Sequence, residues 1–242
     1  VPFDPKQAAR TGAPTAIAEG VQVDNMSGSG QFAVADNGTM LYMPGGGVGS
    51  QQPAWVDRTG RMTPVDSMWR GNFTNVALSP DGTRLAVASP GIDGEQIWVK
   101  SLPAGPVSRV SFGGATNTRP AWTPDGRRIA FISSRSGKRN AWIQRADGSA
   151  EAESLLAHPA QVDEVAWTPD GRSAVVRLGS GGPNGNRNLL LLSPGDTAAP
   201  RPLVSSAFEE FGASVSPDGR WFAYVSNESG RNEVYVRRLE DT

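Results

Sequence analysis

Two pairs of neighbouring carboxylates are the residues of this sequence with the clearest capacity for chemistry. Asp163 and Glu164 form one pair, and Glu209 and Glu210 form the other. Paired carboxylates can act as general acid and base, and their oxygens are ligands that calcium prefers. The alternative, which we favour, is that these groups are solvated loop charges or ion-pair partners for Arg119.

The single histidine, His158, limits the catalytic mechanisms that this chain can use. A Ser-His-Asp triad would need His158 as its base, and no Gly-x-Ser-x-Gly elbow is present. Metal-dependent lyases and phosphatases usually combine several histidines with carboxylates, and one histidine cannot supply that set. We therefore predict a hydrogen-bonding role for His158 in a loop, with no catalytic residue, no metal and no cofactor.

The composition excludes several classes of partner. Lys plus Arg total 23 and Asp plus Glu total 24, so the chain lacks the basic surface that nucleic acids need. No apolar run approaches the roughly 20 residues of a membrane-spanning helix, so we expect no membrane insertion by this segment. The chain has no cysteine, which excludes disulfides and thiolate chemistry. The apolar share of 38% is enough for a substantial core.

A repeated turn organises the whole chain. Five turns, written ADNG, SPDG or TPDG, end at Gly38, Gly82, Gly126, Gly171 and Gly219. Their spacings are 44, 44, 45 and 48 residues. Asn-Gly and Asp-Gly are strong hairpin signals because glycine accepts the positive φ of a tight turn. Each turn precedes a short segment rich in Val, Ile, Phe, Tyr and Trp, which predicts a β-strand.

Four short antiparallel strands in each unit of about 45 residues are typical of a β-propeller blade. We predict one all-β domain over 1–242, with blades at about 31–67, 75–112, 119–157, 164–205 and 213–240. The last unit has only three strands, and APTAIAEG within the N-terminal segment 1–20 is in phase to supply the fourth. The alternatives are six or more blades, or an open fragment of a longer propeller, because VPFD at the start has no place in this count.

The blades resemble the TolB-like propeller repeat over almost the whole chain. The phrases that carry the resemblance are GVQVDNMSGSGQFAVADNGTMLYMPGG, PAWVDRTGR and SPDGRWFAYVSNESGRNEVYV. They are most similar to propeller regions attached to bacterial transmembrane serine/threonine kinases. This resemblance implies an extracytoplasmic binding or sensing module. It does not imply kinase activity, because the glycine-rich phosphate loop, strand lysine and catalytic loop are absent.

The loops that join successive blades are the expected place for recognition. Propeller topology puts the loops from strand four to the next strand one on the face opposite the Asp-Gly turns, and the first strand nearest the axis. Variable loops on a regular scaffold are where binding usually occurs. The predicted binding residues stand at or near the starts of first strands: Phe73, Asn75, Asn117, Arg119, Asp163, Glu164, Glu210 and Phe211.

Mixed charge at this axial mouth predicts a protein, peptide or small polar ligand rather than a polyanion. The leading functional hypothesis is a non-enzymatic binding or sensor propeller. The first alternative is a propeller hydrolase or lyase that acts on a peptide or saccharide. The second is a structural or assembly module whose strand edges pair between copies.

Overall fold

The computed structural model describes residues 3–4, 9–10, 12, 21, 32–34, 40–42, 51–113, 116–181, 187–195 and 199–239. This part of the chain forms 21 β-strands and no helix. It accordingly contains no apolar helix of membrane-spanning length. A short hairpin of β1 (Phe3–Asp4) and β2 (Ala9–Arg10) precedes the blades.

Five antiparallel sheets follow in chain order, one for each repeat unit. Blade one contains β3 (Phe32–Val34), β4 (Met40–Tyr42), β5 (Ala54–Val56) and β6 (Met62–Pro64). Blade two contains β7 (Asn75–Leu78), β8 (Arg84–Gly91), β9 (Gly94–Ser101) and β10 (Val107–Arg109). Blade three contains β11 (Asn117–Trp122), β12 (Arg128–Ser133), β13 (Asn140–Arg145) and β14 (Glu153–Leu156). Blade four contains β15 (Val162–Trp167), β16 (Ala174–Leu178), β17 (Asn188–Leu192) and β18 (Arg201–Val204). Blade five contains β19 (Glu210–Val215), β20 (Trp221–Ser226) and β21 (Glu233–Arg238).

The sheets are arranged as a five-bladed propeller, which confirms the predicted fold class. Residues from the first strand of every blade line the same central cavities, so these strands stand nearest the axis. In the described part of the chain, β21 has no partner strand on its outer side. The predicted closing strand APTAIAEG and the turn at Gly38 lie outside the described residues.

The first strands of blades three, four and five begin two or three residues before the starts predicted from the sequence, at 119, 164 and 213. The strands β11, β15 and β19 start at Asn117, Val162 and Glu210. Each of these strands contains a β-bulge near its start. A bulge inserts an extra residue without ending the ladder, so pairing resumes on its far side and the strand extends further.

Turn chemistry repeats faithfully around the ring. Gly82, Gly126, Gly171 and Gly219 have φ between 66° and 70°, as the tight turn requires. The last three of these glycines each lie against the turn proline of the preceding blade. The Pro-Asp-Gly turns therefore stack one upon the next on a single face of the ring.

The core consists of apolar layers between neighbouring blades. The layer between blades two and three contains Ala88, Ile97 and Phe131, all fully buried. The layer between blades four and five contains Phe222 and Tyr224. Burial on both faces explains why the second strands β8 and β12 are continuously apolar over 85–88 and 129–132. At about 25 cal/mol per Å², burial of apolar surface is the main stabilising term.

Candidate binding site at the axial mouth

The face opposite the Asp-Gly turns opens into a central cavity of about 550 Å³. Its lining includes Phe32, Asn75, Arg119, Glu164 and Gly212, one residue from the first strand of each blade or beside it. The arrangement of the blades therefore brings together residues that are more than 40 positions apart in sequence.

Four of these residues occupy one repeat position. Asn75, Arg119, Glu164 and Gly212 each stand four residues before the Ser or Thr that opens the Pro-Asp-Gly turn of their blade. The repeat thus delivers three different side chains and the backbone N–H of Gly212 to equivalent places around the axis.

Hydrogen bonds and an ion pair join these four residues in order. The Arg119 backbone N–H donates to Asn75 Oδ1 at 3.2 Å. The Arg119 Nη1 lies 3.5 Å from Glu164 Oε1. The Gly212 backbone N–H donates to Glu164 Oε2 at 2.8 Å. A polar chain therefore runs across four blades along the cavity wall.

Arg119 has an unusual backbone conformation. Its φ is 54°, and it is the one non-glycine residue with positive φ in the described part of the chain. Gly212, at the equivalent bulge, has a φ of 67°. An arginine in the left-handed region costs of order 1 kcal/mol relative to glycine's freedom there, and such strain is concentrated at functional sites.

Buried charges fix the orientation of the Glu164 carboxylate. Arg177, almost fully buried, donates from Nε to Glu164 Oε1 at 2.9 Å and lies 3.4 Å from Asp163 Oδ2. Arg139 Nη1 donates to Asp163 Oδ1 at 2.8 Å. Asp163 is itself buried, so it acts behind the cavity wall by holding Arg177 in place.

The two remaining polar residues predicted for this site lie behind the cavity wall. Asn117 is fully buried, where its Nδ2 donates to Gln96 Oε1 at 3.0 Å. Glu210 is buried and accepts a hydrogen bond from the Ser206 hydroxyl. Burial raises the pKa of the Glu210 carboxyl, because desolvation disfavours its charged form.

Phe73 and Phe211, predicted as apolar contacts, are both buried. Phe73 packs in the layer between blades one and two and touches Trp69, with ring centroids 4.8 Å apart. The Arg187 guanidinium lies 4.8 Å from the centre of the Phe211 ring. Of the eight predicted binding residues, Asn75, Arg119 and Glu164 line the cavity, and the other five are buried outside its lining.

His158 makes local contacts within its loop. The ring Nδ1 of His158 accepts a hydrogen bond from the backbone N–H of Ala160 at 3.1 Å. The backbone N–H of His158 donates to Asn140 Oδ1 at 3.2 Å. Within the described ranges, no three His, Asp or Glu residues are grouped so that they could hold a metal ion.

Two residues of the site were not predicted from the sequence. Gly212 contributes a backbone donor, and its place in the repeat, equivalent to Arg119 and Glu164, was the available signal. Arg177 is a charged residue within the otherwise apolar strand β16, a pattern that indicates a buried ion pair.

Comparisons with known proteins agree with this architecture. The TolB beta propeller domain model matches residues 56–182. An uncharacterized peptidase of Bacillus subtilis is 27% identical over an alignment of 210 residues, and the match covers 68% of this chain and 32% of that protein. A TolB homolog of Chlorobium luteolum is 27% identical over 146 residues, 60% of this chain and 32% of that protein.

Solved structures show the same fold. The crystal structure of TolB from Acinetobacter baumannii superposes with a TM-score of 0.71 at 18% identity, over 87% of this chain and 51% of that one. This chain spans about a third of the length of the curated relatives named above. The family model covers more than half of the chain, from 56 to 182. The chain therefore belongs to the TolB β-propeller family.

Proposed function

We propose that the chain is a non-enzymatic binding or sensor propeller that recognises a protein, a peptide or a small polar ligand at its axial mouth. The observation that carries this proposal is the strained backbone of Arg119 within the polar chain of Asn75, Glu164 and Gly212. A conformation that costs stability and lines a cavity is best explained by a role in recognition.

The chemistry of the mouth favours a ligand with both a negative group and a hydrogen-bond donor. Arg119 lies 3.5 Å from Glu164, so this ion pair is loose, and the Arg119 side chain remains about a fifth exposed. Its Nε and Nη2 donate to no other residue in the described part of the chain, and they are suited to a carboxylate. Glu164 is partly neutralised by Arg177, so the mouth has no strong field of either sign. A peptide end matches this arrangement.

A charge reversal at Arg119 tests the proposal. Peptides selected from a displayed library against the intact chain should bind the Arg119→Glu variant about tenfold more weakly or worse, because a carboxylate then faces the ligand's carboxylate. Arg172→Glu is the matched control, since Arg172 is highly exposed and lies in an Asp-Gly turn on the opposite face. The melting temperatures of the two variants should differ little.

The proposal fails if Arg119→Glu binds the selected peptides normally while changes on the Asp-Gly face abolish binding. That result would place recognition on the opposite face of the ring.

An enzymatic role is the second candidate, because one relative is called an uncharacterized peptidase. The contacts of His158 argue against catalysis by this chain, since its Nδ1 is occupied by the Ala160 amide. Screens with peptide and saccharide substrates should therefore show no turnover. Turnover that disappears in His158→Ala would refute the non-enzymatic proposal.

A location outside the cytoplasm and a sensor role beside a transmembrane kinase are further parts of this proposal. They rest on the family resemblance of the repeat phrases, and cell fractionation with an antibody against this segment tests the location.

A further inference from the structure

A second cavity lies between the outer parts of blades two and three, away from the axis. Its volume is about 580 Å³, and its lining comprises Phe112, Gly113, Arg135, Gln144 and the segment 148–152. Phe112 is 57% exposed, although the Arg109 guanidinium lies 5.0 Å from the centre of its ring and leaves the rest of the ring for a ligand. The cavity therefore combines an accessible aromatic ring, a guanidinium group and a buried amide.

The guanidinium of Arg135 donates only to neutral acceptors in the described part of the chain. Its Nε donates to Ser133 Oγ at 3.0 Å, and its Nη2 donates to Asn117 Oδ1 at 3.2 Å and to the Phe112 carbonyl at 3.3 Å. No carboxylate of the described residues lies within 4.0 Å of it, whereas most partly buried cations of this ring are ion-paired. Burial also lowers the pKa of Arg135. A half-desolvated cation without an anion is unfavourable, and a bound anion would relieve that cost.

Two neighbouring aromatic rings contact the Arg135 guanidinium and restrict its orientation. Its guanidinium carbon lies 4.8 Å from the centre of the Trp142 ring and 5.4 Å from that of Phe131. These contacts and the three hydrogen bonds leave Nη1 without an acceptor among the residues that the structure describes. Because the group is already ordered, a ligand that binds it loses little further conformational entropy.

Gln144 supplies an acceptor beside this cation. The side chain is 3% exposed, and its Nε2 donates to the carbonyls of Val110 and Ala150, each at 2.8 Å. Two bonds from Nε2 fix the amide orientation, and Oε1 accepts no hydrogen bond from the described part of the chain. The exposed Glu151 at the cavity rim disfavours multiply charged anions by like-charge repulsion.

We propose that this cavity binds a single carboxylate attached to a flat apolar group, such as a free aromatic acid or the aromatic C-terminal residue of a peptide. The carboxylate pairs with Arg135, the apolar group stacks on Phe112, and a donor of the ligand meets Gln144 Oε1. Charge-assisted bonds to a pre-ordered guanidinium are the strongest contacts available here. The site is separate from the axial mouth and does not depend on the function proposed there.

Titration of the intact chain with three probes, followed by NMR, tests the proposal. N-acetylphenylalanine and benzoate should both bind, and the neutral amide of N-acetylphenylalanine should bind about tenfold more weakly or worse. Arg135→Gln should weaken both carboxylates about tenfold, whereas Arg172→Gln, the same change at an exposed arginine, should not. Tighter binding of N-acetylphenylalanine identifies a peptide end, and tighter binding of benzoate identifies a free acid.

Equal affinity for acid and amide, unchanged binding by Arg135→Gln, or absence of binding by both carboxylates would overturn the proposal. If Arg135→Gln disturbs the fold, Phe112→Ala decides instead, because Phe112 is exposed and its removal leaves the core intact. Phe112→Ala should weaken benzoate several-fold, whereas a fourth probe, acetate, which has no ring, should bind this variant as it binds the unchanged chain. Unaltered benzoate affinity in that variant contradicts the proposed stacking, and Arg119→Glu should have no effect on any of these titrations.

Discussion

The aspartates of the Pro-Asp-Gly turns stabilise the fold through local hydrogen bonds. Asp81 Oδ1 accepts from the Ser79 hydroxyl at 2.6 Å and from the Thr83 backbone N–H at 3.0 Å. These bonds to the charged form lower the pKa of Asp81 to about 2, with the Ser79 hydroxyl as the largest cause. The same pattern lowers the pKa values of Asp125, Asp170 and Asp218.

Acid should therefore weaken the ring through its turns. Because the folded-state pKa of Asp81 is below that of the unfolded chain, its contribution is complete above about pH 4 and is lost as the pH falls through about 2. Asp81→Ala should lower the free energy of unfolding at pH 7 by about 1 kcal/mol and reduce its decline between pH 4 and 2. Urea unfolding at several pH values measures this. An unchanged slope in the variant would show that Asp81 is not responsible.

At the level of single residues, the sequence predicted turn chemistry well and the binding site only in part. In the described part of the chain, Asp81 accepts hydrogen bonds only from residues close to it in sequence, so its role follows from local spacing. By contrast, Asp163 and Glu164 are neighbours that meet different surroundings, one buried behind the wall and one at the cavity. Adjacent strand residues point to opposite sides, and only the structure shows which side a bulge turns toward the axis.

The bulge in the first strand is the element that determines what the mouth presents. The bulge position has a left-handed backbone conformation, which favours glycine. Blade five has Gly212 there, whereas blade three has Arg119. Replacing Arg119 with Gly should change the free energy of unfolding by less than about 1 kcal/mol, because relief of strain offsets the weak ion pair. Arg119→Val should cost about 1–2 kcal/mol more than Arg119→Gly, since a β-branched residue fits poorly at positive φ.

Urea denaturation of both variants checks this prediction, and peptide binding should be lost in both. If the Val and Gly variants are equally stable, the backbone of Arg119 is not strained in solution.

The sequence predicted the order and type of these elements because each blade repeats the same local signals. It did not predict the bulges, since these extra residues carry no distinctive composition: Thr118 to Ala121 in β11 and Val162 to Glu164 in β15 share no residue type in common. Bulge positions depend on how the strand bends to meet its neighbours around the axis, which is a property of the assembled blades and not of one segment.

For the whole molecule, stability depends on contacts between blades, and equivalent contacts differ from one interface to the next. Between blades two and three, Trp122 Nε1 donates to the Ala77 carbonyl at 2.9 Å. The Arg84 guanidinium lies 4.5 Å from the centre of the Trp122 ring. Trp167 has the same repeat position in blade four, but its buried Nε1 has no hydrogen-bond partner among the residues that the structure describes.

The surroundings of Trp167, between blades three and four, differ from those of Trp122 in two further ways. Arg128, which corresponds to Arg84, forms an ion pair with Glu153 at 2.7 Å. A cavity of about 560 Å³ lies beside Trp167, with Arg128 and Glu153 in its wall. Trp122 and Trp167 stand in phase in the repeat, but in the described part of the chain only the Trp122 indole donates to the backbone of the preceding blade.

Substituting each tryptophan with phenylalanine separates the hydrogen bond from the packing. Both changes remove the indole N–H and shrink the ring, but only Trp122→Phe breaks a bond between blades and weakens the stacking of Arg84. Trp122→Phe should therefore reduce the free energy of unfolding by about 1–2 kcal/mol more than Trp167→Phe, which removes a donor that was unsatisfied. Urea unfolding of the two variants, with equal m-values as the check that both remain fully folded, measures the difference. Equal losses would mean that the ring is held by apolar packing alone at these positions and that the Trp122 hydrogen bond adds nothing to the contact between blades.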